Sequence, residues 1–323
     1  MILDFLDTSL DGHSWEKLCI SCYTMKYQDQ HFTEVRAEHK GDGGIEGFTR
    51  SGVVIQCYCP NDPNYSRDDL YEKQREKVTK DIGKFIDEKN AGVLKSLGLS
   101  GIREWHFVVP EIRDKRIIQH MASKTKLVRE TREKNPEFYD YIAEDFDIII
   151  KTAEDFRVEL TTILRSNLTN TKLSFAILQS PQIDWTKCPA DKVANVTRKL
   201  IAINPYLAED KDDLNTLLEM YMSAYISGIA LIEQLGEGFP DIRKGILDLA
   251  EQYKRHVKAK TLLNSDRSLN NKVFNEISND FQQKLKAEFK HISDASIMNL
   301  QMSLIASWLA DCPMEFKGAV KNG

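Results

Sequence analysis

The pattern of apolar and polar positions divides the chain into a mixed front part and a helical rear. Near the start, Trp15, Leu18, Cys19, Cys22 and Tyr23 recur at helical spacing. Ser14 stands in front of them as the predicted N-cap, which puts Glu16 in the first turn of that helix. Residues 32–37 alternate as a strand does. A glycine-rich bend follows at residues 41–48, and Thr49-Arg50-Ser51-Gly52 reads as a hairpin turn into residues 53–59. That run is the most strand-like in the front part, and Pro60 stops it.

Residues 68–89 read as one long charged helix, with Leu70, Val78, Ile82, Phe85 and Ile86 as a narrow apolar stripe. Residues 105–109 read as a strand stopped by Pro110, 113–133 as a basic helix, and 146–150 as a last core strand. The pattern then shifts. Pro181, Pro189 and several Asn and Thr mark a connector with one short strand at 173–178. From Lys192 the spacing is helical almost throughout, with stripes such as Ile246, Leu249, Ala250, Tyr253 and Phe274, Ile277, Phe281, Leu285. Four or five helices are expected there. The predicted organisation is an α/β domain over residues 1–165, a connector over 166–191 and an all-α domain over 192–323. No internal repeat is evident.

Composition adds limits. A chain of 323 residues suits two domains, and 41% apolar with 29% charged residues is ordinary for a globular protein. The formal net charge of −5 excludes attraction to nucleic acid by bulk positive charge, while leaving room for a local basic face. The apolar run at 304–310 falls far short of the roughly 20 residues of a spanning helix. Asp4 and Asp7 stand where a signal peptide would carry Lys or Arg. The expectation is a cytoplasmic protein with no membrane association. Six cysteines include Cys19-x-x-Cys22 and Cys57-x-Cys59, but one pair falls on a helix and the other along a strand. Small buried thiols are expected there rather than a zinc site or disulfides.

The candidate chemistry lies in the first third. Glu16 is on the first helix, Asp42 and Glu46 flank glycines in the bend, and Gln56 is on the next strand. Hard divalent cations take oxygen ligands from one or two carboxylates, water and phosphate. Adjacent strands lie about 4.8 Å apart, close enough to bring Glu46 and Gln56 onto one site. Glycines at 41, 43, 44 and 47 would let a phosphodiester backbone approach.

Glu16, the string Gly41-Asp42-Gly43-Gly44-Ile45-Glu46-Gly47 and the strand Ile55-Gln56-Cys57-Tyr58 together resemble the Mrr-like branch of the PD-(D/E)XK restriction-endonuclease superfamily. The resemblance covers about residues 13–85. It implies an α/β restriction-endonuclease-like domain, a central mixed sheet flanked by helices, that hydrolyses DNA phosphodiesters with Mg²⁺ or Mn²⁺. It implies metal binding by Glu46, where aspartate is usual in the family, and by Gln56, supported by Glu16, with Asp42 behind them or shaping the turn. Double-stranded DNA is the implied substrate, a homodimer the implied assembly, and bacterial anti-phage defence the implied setting.

One residue departs from the pattern. The family's Q-x-K lysine is replaced by Tyr58, a neutral donor that cannot supply positive charge at pH 7. Either the lysine has moved to the following helix, where Lys73, Lys77 and Lys80 are available and Lys77 is favoured, or cleavage is lost. Lys77 shares a helix face with Asp81 at i,i+4. In the first case Tyr58 orients the water or fills the lysine's place. In the second the protein is an inactive nuclease-fold DNA-binding or assembly subunit. A pure interaction protein is the third class.

The basic residues of 113–134 are the better candidates for DNA contact, since acids interleave with the bases over 68–89. His13 and His39 flank the site and could tune it. The final segment, 300–316, loosely resembles the C-terminal helical modules of ABC-three-component defence effectors, which implies a regulatory or partner-binding role. No Walker A string, dinucleotide fingerprint, H-E-x-x-H or serine-hydrolase pattern occurs.

Overall fold

The computed structural model describes residues 2–7, 10–35, 43–60, 64–166, 171–175, 184–311 and 314–317. The chain forms two compact units, Met1–Thr171 and Lys172–Gly323.

In the first unit, α1 (Gly12–Lys26) starts at Asp11, not at Ser14. The Asp11 carboxylate accepts from the Ser14 N–H at 2.7 Å, and the Ser14 hydroxyl accepts from the Asp11 N–H at 2.9 Å. This reciprocal capping box makes Ser14 the third helical residue and moves Glu16 into the second turn. Trp15, Leu18, Cys19, Cys22 and Tyr23 are buried as their spacing predicts.

Three antiparallel strands follow: β1 (Thr33–Glu34), β2 (Gly47–Phe48) and β3 (Val53–Cys57). Residues 36–37 of the expected first strand lie outside the described residues. The turn over residues 49–52 sets the register Gly47↔Ile55 and Phe48↔Val54. β4 (Ile102–Val109) and β5 (Ile142–Thr152) extend the sheet in parallel, in the order β1-β2-β3-β4-β5. All five residues of β3 are buried, as expected for a strand covered on both faces.

The helix expected over 68–89 is two helices, α2 (Arg67–Phe85) and α3 (Glu88–Ser96). Asp87 causes the break, since its carboxylate accepts from the Lys89 N–H at 2.9 Å and starts a new helix. α4 (Arg116–Lys134) connects β4 to β5, and α5 (Arg157–Arg165) follows β5. Val54, Trp105 and Phe107 of the sheet share one core with Val78, Ile82 and Phe85 of α2 and Ile117 and Met121 of α4.

The described part of the second unit is helical: α6 (Ala190–Ile203), α7 (Lys211–Gly238), α8 (Pro240–Leu263), α9 (Asn270–Glu288) and α10 (Asp294–Ala310). Instead of a short strand at 173–178, Leu173 makes a single bridge to Ile292, and residues 176–178 lie outside the described residues. Lys199 is buried on α6, and its ammonium donates to the Trp308 and Leu309 carbonyls at 3.2 and 2.6 Å. It thereby satisfies carbonyls at the end of α10 that helix geometry leaves without partners. No helix among the described residues is long and apolar enough to cross a membrane.

Candidate active site

The register of β2 and β3, continued by one residue, sets Glu46 opposite Gln56 on one face of the sheet. The Glu46 backbone still belongs to the ladder, for its N–H donates to Ile55 O at 2.7 Å and its carbonyl accepts from Val35 N–H at 2.9 Å. Just before it the chain bends away through Gly43 and Gly44, so on its β2 side β3 has no neighbour at Cys57, while on the other side Cys57 pairs with Val108 of β4. The Glu46 carboxylate takes the missing strand's place: Oε2 accepts from the Cys57 N–H at 2.7 Å, and Oε1 accepts from Gln56 Nε2. Gln56 is fully buried, and its Oε1 has no hydrogen-bond partner. A buried acceptor left without a donor is costly, and such atoms are rare in folded proteins.

Two further elements bring charge to this carboxylate. Glu16 projects from α1, which is held to the sheet by the Trp15 indole donating to Val108 O at 3.1 Å. Lys77 projects from α2. Burial raises the Glu46 carboxyl to about 7; hydrogen bonds from the Cys57 N–H and thiol lower it, Glu16 adds to the rise and Lys77 opposes it. The structure therefore brings Gln56 into hydrogen-bond contact with Glu46, and Glu16 and Lys77 within electrostatic reach of that carboxylate. Lys73 is exposed on α2 and paired with Glu76 at 3.8 Å. Asp42 and His39 lie outside the described residues, and His13 is beside Asp11.

One expectation is corrected here. Gly43 and Gly44 do not hold space open for a phosphodiester, and Gly41 lies outside the described residues. A Cβ on Gly44, whose φ is +82°, would come within 2.3 Å of the Asp81 carbonyl oxygen, and one on Gly43 within 2.8 Å of Leu94 Cδ2. Their freedom is used by α2 and α3 packing onto the bend. Tyr58 packs beside the Glu46–Gln56 pair without bonding to it. Its ring stacks on Phe107, with centroids 6.3 Å apart and planes 11° from parallel. Burial, with negative charge from Tyr65, Cys59 and Glu76, pushes its phenol up to about 12, and its hydroxyl has no hydrogen bond to Glu46 or Gln56.

Sequence reasoning passed over Asp81 as a part of the site. Its carboxylate is fully buried, 2.8 Å from Lys77 Nζ and 3.3 Å from Lys84 Nζ. The signal was an acid lying inside the apolar stripe of α2, between Val78 and Ile82. The thiols of Cys19, Cys22, Cys57 and Cys59 are free and buried, and burial raises them all. Among the described residues, no three His, Cys, Asp or Glu side chains are placed to share a metal ion.

In comparisons with known proteins, the chain matches no family model, no curated protein and no solved structure.

Proposed function

We propose that the first unit is a restriction-endonuclease-like nuclease that hydrolyses DNA phosphodiesters with a divalent cation, Mg²⁺ or Mn²⁺, in bacterial anti-phage defence. The observation that carries this reading is the facing pair Glu46 and Gln56, with a buried carboxamide oxygen lacking a donor where β2 has ended. The donors suit a hard cation that keeps waters and substrate oxygens in its shell, since such ions need only one or two protein carboxylates. Glu46 and Gln56 would hold the ion, and turning the Gln56 amide over would direct its orphaned oxygen to the same side as Glu46. When bound, the ion would polarise the phosphate and lower the pKa of a water.

This chain's own groups do the rest. Glu46 gives up its proton before it can bind a cation, Glu16 adds negative charge beside it, and Lys77 supplies the positive charge that Tyr58 cannot. The Cys57 N–H fixes the Glu46 carboxylate in place. The second unit would bind a partner protein of the defence system, and double-stranded DNA and a homodimer remain the proposed substrate and assembly.

A specific observation favours the alternative, a catalytically inactive nuclease fold that binds DNA or assembles a complex. Lys77 is engaged with Asp81, and Tyr58 stands where the family carries its lysine. Plasmid incubated with Mg²⁺, Mn²⁺ or EDTA separates the two. The nuclease reading expects EDTA to abolish cutting, and E46A and K77M each to slow it by about a hundredfold or more. Cutting that survives E46A, or a protein that neither cuts nor binds Mn²⁺ by calorimetry, defeats it.

A further inference from the structure

The helical unit carries a half-open groove between α7, α8 and α10, with a cavity of about 330 Å³. That volume is at the low end of small-molecule pockets. Leu300, Leu304 and Ile232 line it, and Ile229 and Leu247 stand at its mouth 49% and 37% exposed. The groove exists because α10 closes on α7 at a glycine: a Cβ on Gly228 would come within 2.6 Å of the Ser303 Cβ.

The two ends differ in charge. At one, Asp311 is neutralised by Lys192 Nζ at 2.6 Å and accepts from the Ser307 hydroxyl at 3.2 Å. At the other, Arg243 has no ion-pair partner among the described residues. Arg243 is exposed, and its stem lies along α7 at Gly236, where a Cβ would come within 3.1 Å of Cδ and 3.4 Å of Nε. An exposed guanidinium with no ion-pair partner beside apolar walls can orient an amphipathic anion. Glu233 lines the same groove and is exposed. Its charge would repel a phosphate dianion far more than a single carboxylate.

We propose that this groove binds a small monocarboxylate with an apolar body, the carboxylate on Arg243 and the body against Ile229, Leu247 and Leu304. The inference is independent of the nuclease reading of the first unit.

Calorimetric titration of the full chain with octanoate, octylammonium, octyl phosphate and 1-octanol tests it. Octanoate is expected to bind saturably with a Kd on the order of 1 mM or below. R243Q, a surface change that leaves the helices intact by circular dichroism, should weaken it about tenfold. L304W, which fills the groove, should abolish it. Octylammonium or 1-octanol binding as tightly as octanoate, octyl phosphate binding more tightly, unchanged affinity in folded R243Q, or no saturable binding at all would each overturn the assignment.

Discussion

Glu46 does two things with one carboxylate: it accepts from the Cys57 N–H where β2 has ended, and it accepts from the Gln56 carboxamide. Holding these bonds needs only acceptors, whereas cation binding needs a negative charge, and burial sets these against each other. In the unfolded chain the carboxyl titrates near its ordinary 4.5; in the folded protein it titrates at about 7. Between those values the folded protein keeps a proton that the unfolded chain has lost. The stability that protonated Glu46 contributes is therefore complete below 4.5 and drains away as pH rises through about 7. E46Q, neutral at every pH, should lack this decline. Thermal denaturation at pH 5 and pH 8 is expected to show the wild type losing ground to E46Q at the higher pH, and equal shifts would contradict the assignment. By the same linkage, Mn²⁺ should bind more tightly as pH rises to about 7 and change little beyond, with proton release at pH 6. The Glu46–Gln56 pair was legible in the sequence because the turn at 49–52 fixes an antiparallel register, and register fixes which side chains face each other. Asp81 was not. A buried acid is tolerated there only because Lys77 and Lys84 reach it from one turn to either side, and spacing alone does not say which side of α2 is covered.

The same division between local and tertiary causes holds at the level of elements. α1, the hairpin β2–β3 and the strands β4 and β5 follow from periodicity, and the start of α1 and the break before α3 follow from Asp11 and Asp87 acting as caps that a periodicity reading does not weigh. The bend before β2 is different, because Gly43 and Gly44 read as access for a substrate, whereas their cause is α3 and α2 packed against them. Gly44 and Gly83 make this testable. A methyl on Gly44 meets the Asp81 carbonyl at 2.3 Å and is strained at φ +82°, whereas a methyl on Gly83 meets nothing within 4 Å. In urea denaturation, G44A should cost about 2 kcal/mol or more. G83A, in the interior of α2, should gain up to about 1 kcal/mol. Comparable effects at the two positions would show that the bend is not pinned by α2.

At the scale of the whole molecule, a chain of net charge −5 can hold DNA only through cations that the fold leaves free. Most of those expected to do so are already engaged. On α2, Arg75 pairs with Glu72 at 2.7 Å, and Lys77 and Lys84 share Asp81. Around α4, Arg116 pairs with Asp114 at 2.8 Å and with Asp68, while Arg129 and Arg132 donate through Nε to the Phe146 and Ile142 carbonyls of β5, both at 2.7 Å. Of the arginines that make residues 113–134 look like a DNA face, Arg129 and Arg132 thus hold α4 to the sheet, and Arg116 is tied to Asp114 and Asp68. Lys115, Lys124 and Lys134 have no ion-pair partner among the described residues, so a phosphate contact by this stretch would draw on them, and Lys115 and Lys124 are the two to replace. Two variants separate the roles. K115E/K124E should leave stability unchanged, weaken duplex DNA binding in EDTA, and flatten the plot of log affinity against log salt by about 2. R129Q removes the donor to the Phe146 carbonyl and should cost about 1 kcal/mol in urea denaturation while leaving that slope as it was. If R129Q changes the slope and the lysine pair does not, the arginines face the nucleic acid and the division of labour drawn for α4 is reversed.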